Sequence, residues 1–157
     1  MEIGTGSGYL CELLRKQFKT VVATDIDPNA IGHAKERVKD VAFVCCDSSS
    51  AIIHVKFDLI IINPPYLPSN EIKDMTVDGG KDGIEISFKM AKDSMRLLHR
   101  DGKIMMVASS LANYKLLMKR LNELSLDINI ISKKKLAFEE IMILQAQFSQ
   151  SASQLQK

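Results

Sequence analysis

The chain has 157 residues, 46% of them hydrophobic and 25% charged, with a formal net charge of +2. That is enough for one domain with a real core, and the charge is too small to argue by itself for nucleic acid or a membrane surface. No apolar run approaches the ~20 residues of a membrane span, and no basic–apolar–small signal segment opens the chain. The three cysteines, Cys11, Cys45 and Cys46, are odd in number and lack metal-ligand spacing. Free, mostly buried thiols in a reducing cytoplasm are therefore expected. His33, His54 and His99 are scattered without partners, so no metal site is expected.

In chain order, short apolar runs alternate with helical periodicity, which predicts an α/β domain with a mainly parallel sheet. Met1 to Ile3 reads as a strand end running into Gly4, Gly6 and Gly8, and Leu10, Leu13, Leu14 and Phe18 then mark a helix face. Thr20 to Thr24 is a strand ending at Asp25. Asp27-Pro28 opens a second helix with a capping carboxylate and a first-turn proline, and Ile31, Ala34 and Val38 form its inner face. Val41 to Cys46 is a third strand ending at Asp47, and Phe57 to Ile62 is the most apolar strand, as a central one should be. The stretch from Asn63 to about Asp82 reads as a long lid or binding loop. Ile84, Phe88, Ala91, Met95 and Leu98 mark a third helix. Asp101-Gly102 turns the chain into a strand from Lys103 to Ala108, and Tyr114, Leu117, Leu121 and Leu124 mark a fourth helix. Asp127 to Ser132 and Glu140 to Phe148 must pair antiparallel, since no helix separates them, with Lys133 to Lys135 as a solvated hairpin turn. One domain is expected over 1–148, with 149–157 a polar, frayed tail.

Three motifs carry chemistry. Glu2-Ile3-Gly4-Thr5-Gly6-Ser7-Gly8 lies between a strand end and a helix start, where glycines allow a sharp turn and close approach of a ligand. A dinucleotide loop wants G-x-G-x-x-G, but here the third glycine comes one residue early, at Gly8. G-x-G-x-G after an acidic residue suits S-adenosyl-L-methionine, which has no pyrophosphate; the bland alternative is a tight turn. Asp25, followed by Ile26, ends the next strand, where a carboxylate can accept both ribose hydroxyls, while Asp27 is better placed to cap the helix. Asp47 and Ser48 would face the adenine. Asn63-Pro64-Pro65-Tyr66 ends the fourth strand. It could be a plain strand-terminating turn, since proline cannot continue the ladder. It also offers two acceptors, the Asn63 side chain and the Pro64 carbonyl, for the hydrogens of a planar –NH2 group. Pro64 and Pro65 fix both in advance, and Tyr66 can stack on the flat target.

These pieces, together with T-D-I-D-P, C-D-S and D-G-G-K-D-G-I-E, resemble the release-factor glutamine methyltransferases, the HemK family, particularly its short archaeal and eukaryotic branch. The resemblance runs from residue 1 to about 148. It implies a Rossmann-like class I methyltransferase fold with a mainly parallel sheet of seven strands, the last antiparallel; the first strand is expected to be truncated here, as a departure from the family. It also implies S-adenosyl-L-methionine held by Glu2, Gly4, Thr5, Gly6, Gly8, Asp25, Ile26, Asp47, Ser48 and Asn63, with catalysis at Asn63 to Tyr66. The implied substrate is a glutamine in a Gly-Gly-Gln loop of a peptide chain release factor, with a small zinc-ribbon activator protein as a possible partner. Family members carry a segment before the first strand that covers the cofactor, and this chain starts directly on Glu2. Asn-Pro-Pro-Tyr is shared with methyltransferases of adenine and guanine amino groups, so a nucleic-acid enzyme is one rival. A lysine-directed enzyme and a non-catalytic binding subunit are others.

Overall fold

The structure is a computed structural model that describes residues 1–149. Its frame is a seven-stranded sheet. Strand β1 (Glu2–Ile3) lies between β2 (Val22–Asp25) and β4 (Phe57–Ile62), parallel to both, and β3 (Ala42–Cys45) forms one edge beyond β2. On the other side β4 pairs in parallel with β7 (Leu98–Ser109). Strand β9 (Glu140–Phe148) then enters antiparallel between β7 and the other edge strand, β8 (Leu126–Lys135). The chain moves outward from β1 to β3 and returns to the opposite side of β1 as β4. That reversal opens a crevice at the carboxyl ends of the strands.

The alternation along β4 shows why both faces are covered. Ile60 and Ile62 are fully buried in the larger core, which includes Leu117 and Leu121 of α4 (Tyr114–Asn122) and Ala91 of α3 (Glu85–Ser94). Leu59 and Ile61 face the smaller core, with Cys11 and Leu14 of α1 (Tyr9–Leu14) and Val38 at the end of α2 (Pro28–Arg37). Period-two alternation with apolar residues on both faces makes β4 a doubly covered strand. Asp27 caps α2 as expected, its side chain accepting from Asn29 N–H at 2.9 Å.

Five expectations need correction. The inner face of α1 is Cys11 and Leu14, whereas Leu13 and Phe18 are exposed, because the helix has only six residues and ends before Phe18. The stretch after Asn63 is not a plain loop: β5 (Leu67–Pro68) and β6 (Asp78–Gly80) pair in parallel there. The Asp78 carboxylate closes the intervening turn by accepting from Lys73 and Asp74 N–H. Asp101-Gly102 lies inside β7, where a register shift against β4 accommodates it; a Cβ on Gly102 would sit 2.8 Å from the Phe57 carbonyl oxygen. Lys133 to Lys135 end strand β8 and do not form the turn. Ser149, expected to fray, donates N–H to the Ser125 carbonyl and its hydroxyl to Asp127. Residues 150–157 of the expected tail lie outside the described residues. No helix among the described residues is long and apolar enough to cross a membrane.

Leu121, with no exposed surface, joins α4 to the larger core. Leu121→Ala should cost about 2–5 kcal/mol in urea unfolding, through lost transfer energy and the cavity left behind. A change under about 1 kcal/mol would show that α4 is not tightly packed on the sheet.

Candidate active site

A cleft of about 420 Å³ opens at the carboxyl ends of the strands. The residues that end the first four strands meet there: Gly4 and Gly6 after β1, Asp25, Asp47 and Asn63. The glycine loop turns through positive φ at Gly4, Gly6 and Gly8, a region open to glycine and costly for other residues. It is tied to β2 by Gly4 and Thr5 N–H, both donating to the Thr24 carbonyl at 2.9 Å. Asp25 completes the tie. One carboxylate oxygen accepts from Gly6 N–H at 2.8 Å and the other from Asp27 N–H at 3.0 Å. Asp25 therefore positions the loop as well as facing the cleft, and each oxygen keeps lone-pair capacity for a further donor.

Asp47 is ion-paired with Lys89 of α3, across the cleft mouth. Nothing local along the chain marks this lysine, since the pairing joins residues 42 apart. Ser48 has the opposite character. Its hydroxyl oxygen is buried, lies in the cleft wall, and has no hydrogen-bond partner among the described residues. A buried polar atom left unpaired is costly, so an orphaned hydroxyl facing a cavity fits a ligand that would pair with it. Ile26 and Met90 supply apolar wall, and Ile72 and Met75 close it from the β5–β6 connection.

Asn63 lines the cleft with its side chain exposed, and no described residue hydrogen-bonds to that side chain or to the Pro64 carbonyl. The turn is braced from outside. A Cβ on Gly79 would lie 2.9 Å from the Pro65 carbonyl oxygen, and one on Gly83 only 2.4 Å from that of Tyr66. Gly83 also has φ +71°. The D-G-G-K-D-G-I-E segment is thus backbone pressed on the Asn63–Tyr66 turn, and the Glu85 carboxylate steadies it by accepting from Asp82 and Ile84 N–H. Tyr66 does not line the cleft. It packs on the larger core; burial first, and then the Glu139 charge, raise its phenol above the usual range.

Glu2, Thr5 and Gly8 are also behind the cleft wall and not in it. The Glu2 carboxylate accepts from the Thr5 hydroxyl at 3.0 Å and from the Cys11 thiol, beneath the glycine loop. Burial pushes the Glu2 carboxyl upward against those two hydrogen bonds. Gly8 lets α1 approach α2: a Cβ there would meet Ala34 Cβ at 3.1 Å. Among the described residues no group of three His, Cys, Asp or Glu side chains is placed to hold a metal ion.

A glycine loop, an acid at the second strand end and Asn-Pro-Pro-Tyr at the fourth, converging at a switch point, define a methyltransferase of class I fold. The family model of the methyltransferase small domain matches residues 1–135. A Methanocaldococcus jannaschii protein named as an N5-glutamine methyltransferase is 33% identical, over 93% of this chain and 79% of its own. The E. cuniculi Mtq2–Trm112 complex, described as responsible for methylating the translation termination factor eRF1, superposes with TM-score 0.78. It is 25% identical, over 94% of this chain and 83% of that one. At 18% identity and TM-score 0.67, the N-methyltransferase NodS of Bradyrhizobium japonicum, solved with S-adenosyl-L-homocysteine, shares the fold over 92% of this chain and 74% of its own. The chain belongs to the methyltransferase small domain family and, within it, to the HemK-like glutamine methyltransferases.

Two predictions follow from these contacts. Burial, and next the hydrogen bond to Glu2, push the Cys11 thiol up to about 12. At pH 8 only roughly one part in ten thousand is thiolate, the reactive form. Iodoacetamide should therefore label exposed Cys45 and spare Cys11 in the folded protein, read by peptide mass spectrometry. Equal labelling would show that the support beneath the glycine loop is open. Gly83→Ala should lower stability by about 1–3 kcal/mol or more through strain at positive φ and the clash with Tyr66. A thermal melt unchanged from wild type would mean the brace on the turn is loose.

Proposed function

We propose that this methyltransferase uses S-adenosyl-L-methionine to methylate the side-chain amide nitrogen of a glutamine, in a Gly-Gly-Gln loop of a peptide chain release factor. The observation that carries the reading is the Asn63 side chain, exposed in the cleft with no protein partner among the described residues, beside a proline-fixed carbonyl at Pro64.

The cleft suits the cofactor. Asp25 would accept from the ribose hydroxyls, the backbone of Gly4 and Gly6 would lie against the methionine end, and Ile26 would pack on the adenine. The orphaned Ser48 hydroxyl and Asp47 would meet its polar edge, for which Asp47 must share its carboxylate with Lys89 or release it. Glu2, Thr5 and Gly8 contribute by holding the loop. When bound, the cofactor supplies an electrophilic methyl on a cationic sulfur. A primary amide nitrogen is a poor nucleophile because its lone pair is delocalised into the carbonyl. Asn63 Oδ1 would accept one N–H and the Pro64 carbonyl the other, orienting the nitrogen before reaction. Asn63 is neutral, so it accepts without placing a charge beside the amide. Tyr66 acts from outside, as a support of the turn.

The substrate is supported by the N5-glutamine relative and by the eRF1-methylating neighbour. That neighbour is described as a complex with a second protein, Trm112, and a small activator of the zinc-ribbon kind belongs to this reading. A cytoplasmic setting accords with three free cysteines and a translation substrate.

Incubation of the protein and activator with labelled cofactor and release factor should place one methyl on the glutamine amide, located by tandem mass spectrometry. Asn63→Ala should reduce the rate about a hundredfold to a thousandfold with cofactor affinity largely kept, as for loss of one preorganised acceptor. Asp25→Ala should weaken cofactor binding in calorimetry by about 1.5–3 kcal/mol for each charge-assisted hydrogen bond lost. Methylation of RNA or DNA with the release factor untouched would overturn the substrate. A fully active Asn63→Ala would overturn the nitrogen chemistry.

A further inference from the structure

The β8–β9 hairpin rises from the same end of the sheet as the cleft. Ile62, the last residue of β4, is in register with Met106 of β7, and Met106 with Leu144 of β9. Because β9 runs antiparallel to β7, its first residue, Glu140, lies further out than Asn63, opposite Lys135 at the end of β8. It stands about three residues beyond Asn63, roughly 10 Å, and two strand spacings, roughly 10 Å, to its side. Packing joins the two places. A Cβ on Gly83 would lie 2.4 Å from the Tyr66 carbonyl oxygen and 3.0 Å from Ala112 Cβ. The turn that leads to Ala112 is bonded to the hairpin. Ser110 N–H donates to the Glu140 carbonyl at 2.9 Å, Glu140 N–H to the Ser110 hydroxyl at 2.8 Å, and the Ser109 hydroxyl to the Glu139 carboxylate at 2.5 Å. The hairpin is thus a braced wall beside the acceptor end of the cleft.

Folding does not account for what this wall carries. Leu136 N–H donates to the Glu139 carbonyl at 2.7 Å, which leaves Ala137 and Phe138 as the bend. Two-residue hairpin bends favour Asn, Asp and Gly, which take positive φ readily. Neither Ala137 nor Phe138 takes positive φ, so the bend asks for nothing that a phenylalanine supplies. Burial does not ask for it either: Phe138 is 94% exposed, Leu136 42%, and Leu111, next to Ser110, 45%. Single exposed apolar residues are ordinary, but three on two hydrogen-bonded segments are not scattered. Beside them, Lys134 and Lys135 are exposed and ion-paired to no carboxylate among the described residues, since Lys133 takes Glu140 and Ser109 engages Glu139.

We propose that the hairpin tip, with Phe138 at its end and Lys134 and Lys135 on its flank, docks the protein substrate. It binds an apolar patch with acidic neighbours on the release factor, beside the Gly-Gly-Gln loop whose glutamine reaches Asn63. The assignment rests on the substrate reading given above. Location fixes the occupant: a folded domain that lowers a loop onto Asn63 must pass over this rim, where the tip stands out by roughly 10 Å. The chemistry favours a protein over nucleic acid. Nucleic acid is held through many phosphate contacts, whereas a phenylalanine and two leucines edged by two lysines match the apolar centre and polar rim of a protein interface. In such an interface the aromatic holds the complex, and the rim charges speed its formation.

The test uses the full chain with activator, on release factor and separately on a short Gly-Gly-Gln peptide. Phe138→Ser should raise KM for the release factor about tenfold, as for loss of one interface anchor. Its kcat, its KM for the peptide and its calorimetric affinity for S-adenosyl-L-homocysteine should stay within about twofold of wild type. Lys134→Glu combined with Lys135→Glu should also raise KM for the release factor and make it less sensitive to salt. Circular dichroism on each variant restricts the comparison to folded protein. An unchanged KM in Phe138→Ser, or an equal loss on release factor and peptide, overturns the proposal. Contact is also read independently of activity, with a photo-crosslinking amino acid in place of Phe138. It should attach to the release-factor domain that carries Gly-Gly-Gln. A crosslink there, with the release factor left unmethylated by the wild-type protein, overturns the methylation reading and supports the docking. Methylation with no such crosslink overturns the docking and leaves the methylation reading standing. A crosslink to the activator or to RNA, and not to the release factor, overturns the docking too.

Discussion

Two residues of backbone hold the two halves of this sheet together. Glu2–Ile3 pairs with Ala23 and Thr24 on one side and with Ile61 and Ile62 on the other, and all of its surface is buried or nearly so. The reversal of strand order occurs at this strand, so the crevice lies directly beyond it. The glycine loop, Asp25 and Asn63 can converge only because their strands share β1 as neighbour. The Glu2 carboxylate beneath the loop belongs to the same constraint. It is held in a buried position where it restrains Thr5 and Cys11, and so sets the height of the loop over β1.

The fourth strand end is made rigid differently. Asn63 must be exposed to meet a substrate, so it cannot be stabilised by its own burial. The restraint comes from the neighbours of the turn: prolines within it, glycine backbone pressed against its carbonyls, and Tyr66 packed on the larger core. This division of labour, with an open side-chain acceptor at Asn63 on a braced backbone, is what preorganisation requires. It also gives the D-G-G-K-D-G-I-E segment a physical role, since side chains at Gly79 or Gly83 would collide with the turn.

The strand ends were legible in the sequence because each is an apolar run closed by a polar residue, as in F-D-L-I-I-I-N. Strand identity and the placement of Asp25, Asp47 and Asn63 at one cleft follow from that pattern and the switch-point rule. The direction of a side chain within a motif was not legible. Glu2 and Tyr66 stand beside ligand-facing residues yet point away from the cleft, and only packing decides this. The β5–β6 pair was missed because Asp78 and glycine contacts hold it, without periodicity to reveal it. Lys89 and Glu139 were not legible because their partners lie far along the chain: Asp47 for one, Ser109 for the other. The inner face of α1 was misjudged since a six-residue helix is too short for periodicity to fix its phase.

The central claim is that one cleft, at the carboxyl ends of β1 to β4, brings the cofactor and a planar amide together at Asn63. Its most direct test is a crystal structure of the protein with activator, S-adenosyl-L-homocysteine and a Gly-Gly-Gln peptide. The account predicts ribose hydroxyls on Asp25, the glutamine amide nitrogen between Asn63 Oδ1 and the Pro64 carbonyl, and the sulfur facing that nitrogen. A peptide amide bound away from Asn63, with the cofactor in the cleft, would contradict it.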